Sequence, residues 1–266
     1  MRVACIQMCS DDDVAANLNT ADRLLTEAAS RQVNLAVLPE NFSFMGNDNT
    51  RKHEVAHQYS DTVLRFLSDS AMRLNMAIVG GSMLLESDSG RLRNSCPVYT
   101  PDGSLAGAYG KMHLFDVDLP EESYRESDVI EPGNRPVCIN AGDWRLGLSI
   151  CYDIRFPELY RYYAAEGCNV LTVPAAFTVP TGKAHWEVLL RARAIENQCY
   201  VLAAGQYGEH PGKRKTYGHS MIIDPWGETV ACLEDGEGMI VADLAIERVN
   251  EVRSRLPALK HRRAIA

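Results

Sequence analysis

Short apolar segments that predict strands alternate with amphipathic segments that predict helices along almost the whole chain. "VACIQM" predicts a strand, and the helical pattern after it is expected to be capped by Ser10 or Asp11. Five residues of that pattern share one face: Val14, Leu18, Ala21, Leu25 and Ala28. "LAVLPE" predicts a buried strand that ends at Glu40, and residues 53–75 predict a second helix. This alternation predicts an α/β protein, in which helices cover the faces of a sheet.

The second half of the chain continues the alternation and contains a unit of the βαβ type. "RLGLSI" and "NVLTVPAAF" predict strands on either side of a helix over residues 156–166, with Pro157 near its start and Gly167 at its end. The remaining predictions are a helix over 183–198, a strand at "YVLAAGQ", a hairpin over "GHSMIIDPWGETVACLE", a strand at "GMIVADL" and a helix over 245–255.

The middle of the chain is less regular. "MAIVGGSML", "SCPVYT" and "SLAGAYGKM" predict strands, with a hairpin turn at Pro101-Asp102-Gly103, and residues 112–135 form a long loop rich in Asp and Glu. A loop of this length inside a compact domain is more often functional than idle. Because no linker, repeat or low-complexity segment divides the chain, we expect one domain over residues 1–266. Two packed sheets covered by helices fit the strand pattern, and a doubly wound single sheet is the alternative.

Composition and cysteine usage exclude several classes of protein. A formal net charge of −8 and a pI near 5.4 argue against a nucleic-acid-binding protein, which would carry a basic patch. No apolar stretch approaches the roughly 20 residues of a membrane span, and "MRVACIQM" lacks the layout of a signal peptide. The eight cysteines form neither a CxxC pair nor a Cys/His cluster at zinc spacing. We therefore expect no disulfide framework, no metal and a cytoplasmic location.

Three predicted strands end at a residue that carries a reactive side chain. Glu40 follows "LAVLP", Lys111 follows "AGAYG" and Cys151 follows "LGLSI". In α/β sheets, ligands bind in the crevice beyond the carboxyl ends of the strands. Together, these side chains would supply a base, a cation and a nucleophile. Amide cleavage through a covalent acyl-enzyme requires those three groups.

Each of the three residues also has a simpler interpretation when it is taken alone. Cys151 could be an inert core cysteine, although a following helix N-terminus and a nearby lysine would favour its thiolate. Glu40 could be a surface residue, or a general base if burial raises the pKa of its carboxyl group toward neutrality. Lys111 could be solvated, or it could stabilise an oxyanion. His113, His185 and His219 are expected to be structural rather than partners in a Cys–His pair.

Taken together, these segments resemble the nitrilase, or carbon–nitrogen hydrolase, superfamily. The resemblance is carried by five motifs spread over nearly the whole chain: "LAVLPEN", "YGKMHLFDVDLP", "SICYDIRFPELYR", "HWEVLLRARAIENQCYV" and "GHSMIIDPWGE". It implies a four-layer αββα sandwich of two mixed sheets covered by helices, and a homodimer or larger homo-oligomer. It also implies that the segment "RLPALKHRR" reaches toward the partner subunit.

The resemblance assigns roles to five residues and implies that no metal or organic cofactor is needed. Cys151 would attack a small-molecule amide to form a thioester, with Glu40 as general acid and base. Lys111 and the backbone N–H of Tyr152 would hold the oxyanion. Glu126, which reasoning from the residues alone does not select, would be the supporting glutamate.

The segment "AFTVPTGKAHW" most resembles the branch of the superfamily that hydrolyses deaminated glutathione to 2-oxoglutarate and cysteinylglycine. The alternative branch, omega-amidase, acts on 2-oxoglutaramate and 2-oxosuccinamate. Tyr152, Arg155, Thr178 and Thr181 are the candidates for substrate binding. A non-catalytic binding protein and a redox sensor that pairs Cys151 with another cysteine are the alternatives from other classes.

Overall fold

The protein is described here by a computed structural model that covers residues 1–118 and 123–263. The helices of these residues are α1 (Val14–Ser30), α2 (Asn49–Leu74), α3 (Pro157–Ala165), α4 (Val179–Asn197) and α5 (Ile246–Arg255). The strands of the first half are β1 (Arg2–Gln7), β2 (Leu35–Val37), β3 (Ala77–Val79), β4 (Met83–Glu86), β5 (Leu92–Tyr99), β6 (Leu105–Gly110), β7 (Asp116–Asp118) and β8 (Ser123–Arg125). Those of the second half are β9 (Cys138–Ala141), β10 (Trp144–Leu148), β11 (Val170–Thr172), β12 (Tyr200–Ala203), β13 (Tyr207–Glu209), β14 (Lys215–Tyr217), β15 (Ser220–Ile223), β16 (Thr229–Leu233) and β17 (Gly238–Asp243).

Two mixed sheets form the centre of the molecule. The first has the order β17-β1-β2-β3-β5-β4, with β6 pairing on β5, and the second has the order β16-β15-β12-β11-β10-β9. Strands β1, β2 and β3 run parallel in the first sheet, and β10, β11 and β12 run parallel in the second. In each sheet the strands that flank the parallel core are antiparallel to it. Each parallel core therefore presents the ends of three strands at one edge.

The two sheets pack face to face, and helices cover their outer faces. Val3 and Cys5 of β1 belong to one apolar cluster, which also contains the inward residues of the second sheet, whereas Ala4 and Ile6 pack with α1 and α2. This alternation follows from the two-residue period of a strand. Helices α3 and α4 cover the second sheet through Tyr163 and Trp186, among others. The layers are thus α, β, β and α, and the predicted sandwich is confirmed.

The βαβ unit that carries Cys151 has the predicted form. Strands β10 and β11 are parallel, with Leu146 opposite Val170, and α3 crosses between them. Pro157 stands at the first turn of α3, where its missing N–H is no loss. Helix α4 begins at Val179, four residues before the predicted start, because Pro180 also suits a first turn.

Several local predictions are wrong, and each has a physical reason. The N-cap of α1 is Asp13, whose carboxylate accepts a hydrogen bond from Ala16 N at 3.1 Å, whereas the Ser10 hydroxyl donates to a distant carbonyl. The predicted strand "MAIVGGSML" is divided into β3 and β4. The break lies at Gly81, which has a φ of 56° and packs so closely on the Pro39 carbonyl that a Cβ would lie 2.1 Å from that oxygen.

The acidic loop has more structure than the sequence predicts. Its described residues form the β7–β8 hairpin and a short 3₁₀ turn at Glu126–Asp128. Strands β9, β13 and β14 are also absent from the sequence predictions. Strands of three or four residues are too short to produce a recognisable period. Within the two described ranges, no helix is both long enough and apolar enough to cross a bilayer.

Candidate active site

Glu40, Lys111, Cys151 and Glu126 line one cavity of about 500 Å³. Glu40 lies three residues beyond β2 rather than at the end of the strand, while Lys111 follows β6 directly and Cys151 follows β10 after two residues. The first sheet therefore supplies the carboxylate and the ammonium group, and the second sheet supplies the thiol. The sandwich brings these strand ends together at one edge of the packed sheets.

Lys111 forms a buried ion-pair network with both glutamates. Its Nζ lies 2.8 Å from Glu40 Oε1 and 2.8 Å from Glu126 Oε2, and the side chains of Lys111 and Glu40 are each only 3% exposed. Asn94 Nδ2 donates to Oε1 of both glutamates, at 3.1 Å and 3.3 Å. The backbone N–H of Phe115 donates to Glu126 Oε2 at 2.7 Å. Buried charges that are paired and hydrogen-bonded in this way are held in fixed positions.

Glu40 is held on both sides of its carboxylate. The backbone N–H of Ala176 donates to Oε2 at 2.8 Å, opposite the ammonium group of Lys111 on Oε1. Gln206 Nε2 donates to the Glu40 carbonyl at 3.0 Å and so fixes its backbone as well. The Cys151 thiol lies close enough to the same carboxylate to interact with it. Because its carboxylate is held in place, Glu40 can accept the thiol proton without moving.

Cys151 occupies a tight turn in left-handed backbone conformation, with a φ of 47°. A non-glycine residue rarely adopts this conformation, and such strain is concentrated at functional sites. Its backbone N–H donates to the Pro174 carbonyl at 2.8 Å. The residues that flank Cys151 are not the glycines of a typical nucleophile elbow, so this backbone conformation was not predicted.

A fully buried carboxylate, that of Asp153, supports the Cys151 turn. Asp153 Oδ2 accepts hydrogen bonds from the Tyr109 hydroxyl and from Ile150 N, both at 2.8 Å. Oδ1 accepts from His113 N at 3.0 Å and lies 2.7 Å from His113 Nδ1. The imidazole ring of His113 also stacks on Phe156 at 3.7 Å. These contacts give His113 a structural setting beside the turn.

The electrostatic setting differs in two respects from what the sequence predicts. Burial, together with the Glu40 charge, raises the pKa of the Cys151 thiol well above its usual value, against the opposing effect of Lys111. The expectation that the setting favours the thiolate is therefore wrong. Burial alone would raise the pKa of Glu40, but the Lys111 ammonium overcomes that effect and brings the pKa below its usual value. The two carboxylates in turn raise the pKa of Lys111 despite its burial.

The four residues predicted to bind substrate are not equivalent. Tyr152, Thr178 and Thr181 line the cavity, and the hydroxyl oxygens of the two threonines lie 2.8 Å apart. Arg155 does not line it. The guanidinium carbon of Arg155 lies 5.7 Å from the centre of the Tyr152 ring and 5.1 Å from that of Phe177, so Arg155 packs behind two residues of the cavity wall.

Comparison with known proteins agrees with this geometry. The model of the carbon–nitrogen hydrolase family matches residues 2–254. The chain belongs to the carbon–nitrogen hydrolase family. A deaminated glutathione amidase from a Synechocystis species is 43% identical over 264 residues, which cover 97% of each chain. Omega-amidase NIT2 from Danio rerio is 37% identical over 263 residues, covering 98% of this chain and 94% of the other.

A solved structure of the carbon–nitrogen hydrolase type shares the fold. The crystal structure of the C. elegans NitFhit protein has a TM-score of 0.94 and 37% identity. The match covers 98% of this chain and 65% of the NitFhit chain, so this chain spans less than two thirds of that protein. The family resemblance and the hydrolase class expected from the sequence motifs are confirmed.

Three residues of this carbon–nitrogen hydrolase site were missed by reasoning from the sequence. Asn94 bridges the two glutamates, and Lys52 and Arg214 line the cavity from α2 and from the segment before β14. Lys52 is one of many charges on an amphipathic helix, and Arg214 lies in a basic run that resembles a solvated loop. No local signal identifies them. Within residues 1–118 and 123–263, no cluster of three or more His, Cys, Asp or Glu side chains is placed to hold a metal ion.

Proposed function

We propose that this carbon–nitrogen hydrolase is an amidase that cleaves a small anionic amide through a thioester on Cys151. The observation that carries the proposal is the meeting of Glu40, Lys111 and Cys151 in one cavity, where the charges of Glu40 and Lys111 both act on the thiol. These groups provide the nucleophile, the base and the cation that acyl transfer needs. Glu126 holds Lys111 from the opposite side and orients its ammonium group toward the thiol and the substrate.

In the acylation step, the Cys151 sulfur attacks the amide carbon while its proton passes to Glu40. A neutral resting thiol fits this order, because burial disfavours a free thiolate and proton transfer accompanies the formation of the S–C bond. The negative charge on the former carbonyl oxygen is stabilised by Lys111 and by the backbone N–H of Tyr152. One such donor typically contributes about 3–4 kcal/mol to the transition state.

In the second half of the reaction, Glu40 returns the proton to the departing nitrogen as the C–N bond breaks. A water molecule then attacks the thioester, and Glu40 accepts a proton from it. The C–S bond breaks, the acid product leaves, and the sulfur regains its proton. The low pKa of Glu40 keeps the carboxylate ionised and ready to accept a proton in each half.

The substrate that we propose is deaminated glutathione, which would be hydrolysed to 2-oxoglutarate and cysteinylglycine. The 43% identity to a deaminated glutathione amidase over nearly the full length of both chains supports this choice. The second candidate is omega-amidase activity on 2-oxoglutaramate, which is supported by the 37% identity to omega-amidase NIT2. Turnover of both substrates by the purified protein tests the choice. A higher kcat/KM for 2-oxoglutaramate would reject deaminated glutathione as the substrate.

The same assay separates an enzyme from a non-catalytic binding protein. The wild-type protein and Cys151→Ala are compared on both substrates, with Cys232→Ala as a matched control, since Cys232 is exposed and lies outside the cavity. The proposal predicts that Cys151→Ala abolishes turnover and that Cys232→Ala does not. Binding of either amide without turnover by the wild-type protein would favour a binding function.

We further propose a homodimer in a reducing, cytoplasmic setting. Large apolar side chains are exposed on the outer layer formed by α3 and α4, among them Tyr162 at 45%, Val188 at 68% and Ile195 at 47%. Exposed apolar surface of this kind is typical of subunit interfaces. Cys9 and Cys232 are exposed free thiols, which suits a compartment that keeps thiols reduced. Light scattering of the purified protein tests the dimer, and a monomeric mass would contradict it.

A further inference from the structure

Among the described residues that line the cavity, two cations have no carboxylate partner. The described lining contains four basic residues: Lys52, Lys111, Arg125 and Arg214. Lys111 pairs with Glu40 and Glu126, and the guanidinium of Arg125 makes two 2.8 Å contacts with Asp118. In the described part of the chain, neither Lys52 nor Arg214 takes part in an ion pair. Two cations in a partly enclosed site raise the free energy of the protein through desolvation and mutual repulsion, unless an anion binds between them.

Arg214 lines the cavity and has an unused donor. Its Nη2 donates to the Ala176 carbonyl at 3.0 Å, and its guanidinium carbon lies 5.2 Å from the centre of the Tyr124 ring. Its Nε is buried and has no hydrogen-bond partner among the described residues. Buried donors in proteins are nearly always paired, so this one indicates an absent acceptor. The peptide N–H of the same Ala176 donates to Glu40. Ala176 therefore connects Arg214 to the proposed base through hydrogen bonds on both sides of one residue.

Lys52 is the second cation of this pair. It lies in the first turn of α2, and its Nζ donates to Asn49 Oδ1 at 3.0 Å. Burial lowers the pKa of Lys52, and the charge of Arg214 lowers it further, against the weaker attraction of Glu126 and Asp48. The two cations are therefore close enough to repel one another. A bound carboxylate would turn this repulsion into two attractive contacts.

We propose that Arg214 and Lys52 form the subsite that binds the carboxylate of the acyl half of the substrate. This inference rests on the proposed amidase function and deepens it, since it restricts the substrate to amides whose acyl group carries an anion. A planar guanidinium can hold a carboxylate through two parallel hydrogen bonds, and a lysine adds a point charge. The subsite also explains how a chain with a net charge of −8 can accept an anionic amide.

The proposal requires a pair of substrates that differ only in the carboxylate. In 2-oxoglutaramate the acyl group ends in a carboxylate, and in 4-oxopentanamide a methyl group takes its place. We expect Arg214→Gln and Lys52→Met each to lower kcat/KM for 2-oxoglutaramate by about 10- to 100-fold, the usual range for one charged hydrogen bond. Turnover of 4-oxopentanamide should fall by a clearly smaller factor, because that amide has no carboxylate for the subsite to bind. Arg214→Lys should lose less than Arg214→Gln, because it keeps the charge but not the planar fork. Lys260→Met removes an exposed charge outside the cavity and serves as the control.

A binding measurement keeps the test independent of catalysis. Calorimetry of 2-oxoglutarate with the Cys151→Ala protein should give a Kd that rises by about 10-fold or more when Arg214→Gln is added. An equal loss on both amides, or no loss on either, together with an unchanged Kd, would overturn the subsite. If the wild-type protein hydrolyses no amide while the Kd still rises, the amidase proposal fails and the anion site stands.

Discussion

Replacing Lys111 by methionine removes the cation that pairs, among the described residues, with the buried carboxylate of Glu40 and the partly buried carboxylate of Glu126. Lys111 Nζ lies 2.8 Å from an oxygen of each glutamate. At an effective dielectric constant of about 20, each contact is worth about 6 kcal/mol of attraction, part of which the desolvation of the ammonium offsets. Loss of one partner from a buried ion pair typically costs about 3–5 kcal/mol. We expect Lys111→Met to reduce the free energy of unfolding at pH 7 by this amount.

The loss should depend on pH with a definite sign. In the wild-type protein the folded-state pKa of Glu40 is below its ordinary value of 4.5, so its stabilising contribution is present above that pH and is lost as the pH falls below it. Without Lys111, burial and the neighbouring Glu126 charge raise the folded-state pKa of Glu40. A carboxyl group whose pKa is higher in the folded than in the unfolded state stabilises the fold at low pH, and this stabilisation disappears as the pH rises. The deficit of Lys111→Met should therefore shrink as the pH is lowered from 8 to 5.

Urea unfolding of both proteins at pH 5, 6, 7 and 8 measures this deficit directly. The double variant Lys111→Met/Glu126→Gln should regain part of the lost stability, because only one buried carboxylate remains. Lys260→Met, at an exposed lysine outside the cavity, should change the free energy of unfolding by less than about 0.5 kcal/mol. A Lys111→Met deficit that is equal at pH 5 and pH 8, or below about 1 kcal/mol, would refute the reasoning.

Two further substitutions test the support of the nucleophile. Asp153→Asn removes an acceptor that holds the Tyr109 hydroxyl at 2.8 Å and the turn of Cys151. We expect a loss of about 1–3 kcal/mol in urea unfolding and a lower kcat, and an unchanged kcat would contradict the positioning role. In Gly147→Ala, the new Cβ would lie 2.5 Å from Tyr163 Cγ. Overpacking of this kind costs about 1–3 kcal/mol, and thermal unfolding should show a lower Tm; an equal Tm would show that the ring can move.

The fold was predictable where the sequence period is long enough to detect. Helices α1 and α2 and the β10–α3–β11 unit have clear patterns, and their structures agree with them. The four-layer arrangement could not be predicted from the residue pattern, because the strand periods fit either one sheet or two. The family resemblance favoured two sheets. The break at Gly81 was not predicted because the contact that requires a glycine is made with Pro39, which follows β2 and is distant in sequence. The single domain over residues 1–266 stays a prediction.

The site could be predicted where its reactive side chains lie at or near the ends of strands. Glu40, Lys111 and Cys151 were identified in this way, and the structure places them around one cavity. The charges of Lys52 and Arg214 acquire meaning only because α2 and the segment before β14 meet across that cavity, which no local pattern reveals. The pKa directions also depend on burial and pairing, neither of which a sequence displays.

The central claim is that Cys151 carries the acyl group, and peptide mass spectrometry of the acid-quenched protein tests it most directly. The protein is mixed with 2-oxoglutaramate or deaminated glutathione, quenched in acid within milliseconds and digested with a protease. We predict a 2-oxoglutaryl adduct on the peptide that contains Cys151, with no adduct and no turnover in Cys151→Ala. Turnover that persists in Cys151→Ala, or an adduct on another residue of the wild-type protein, would contradict the account.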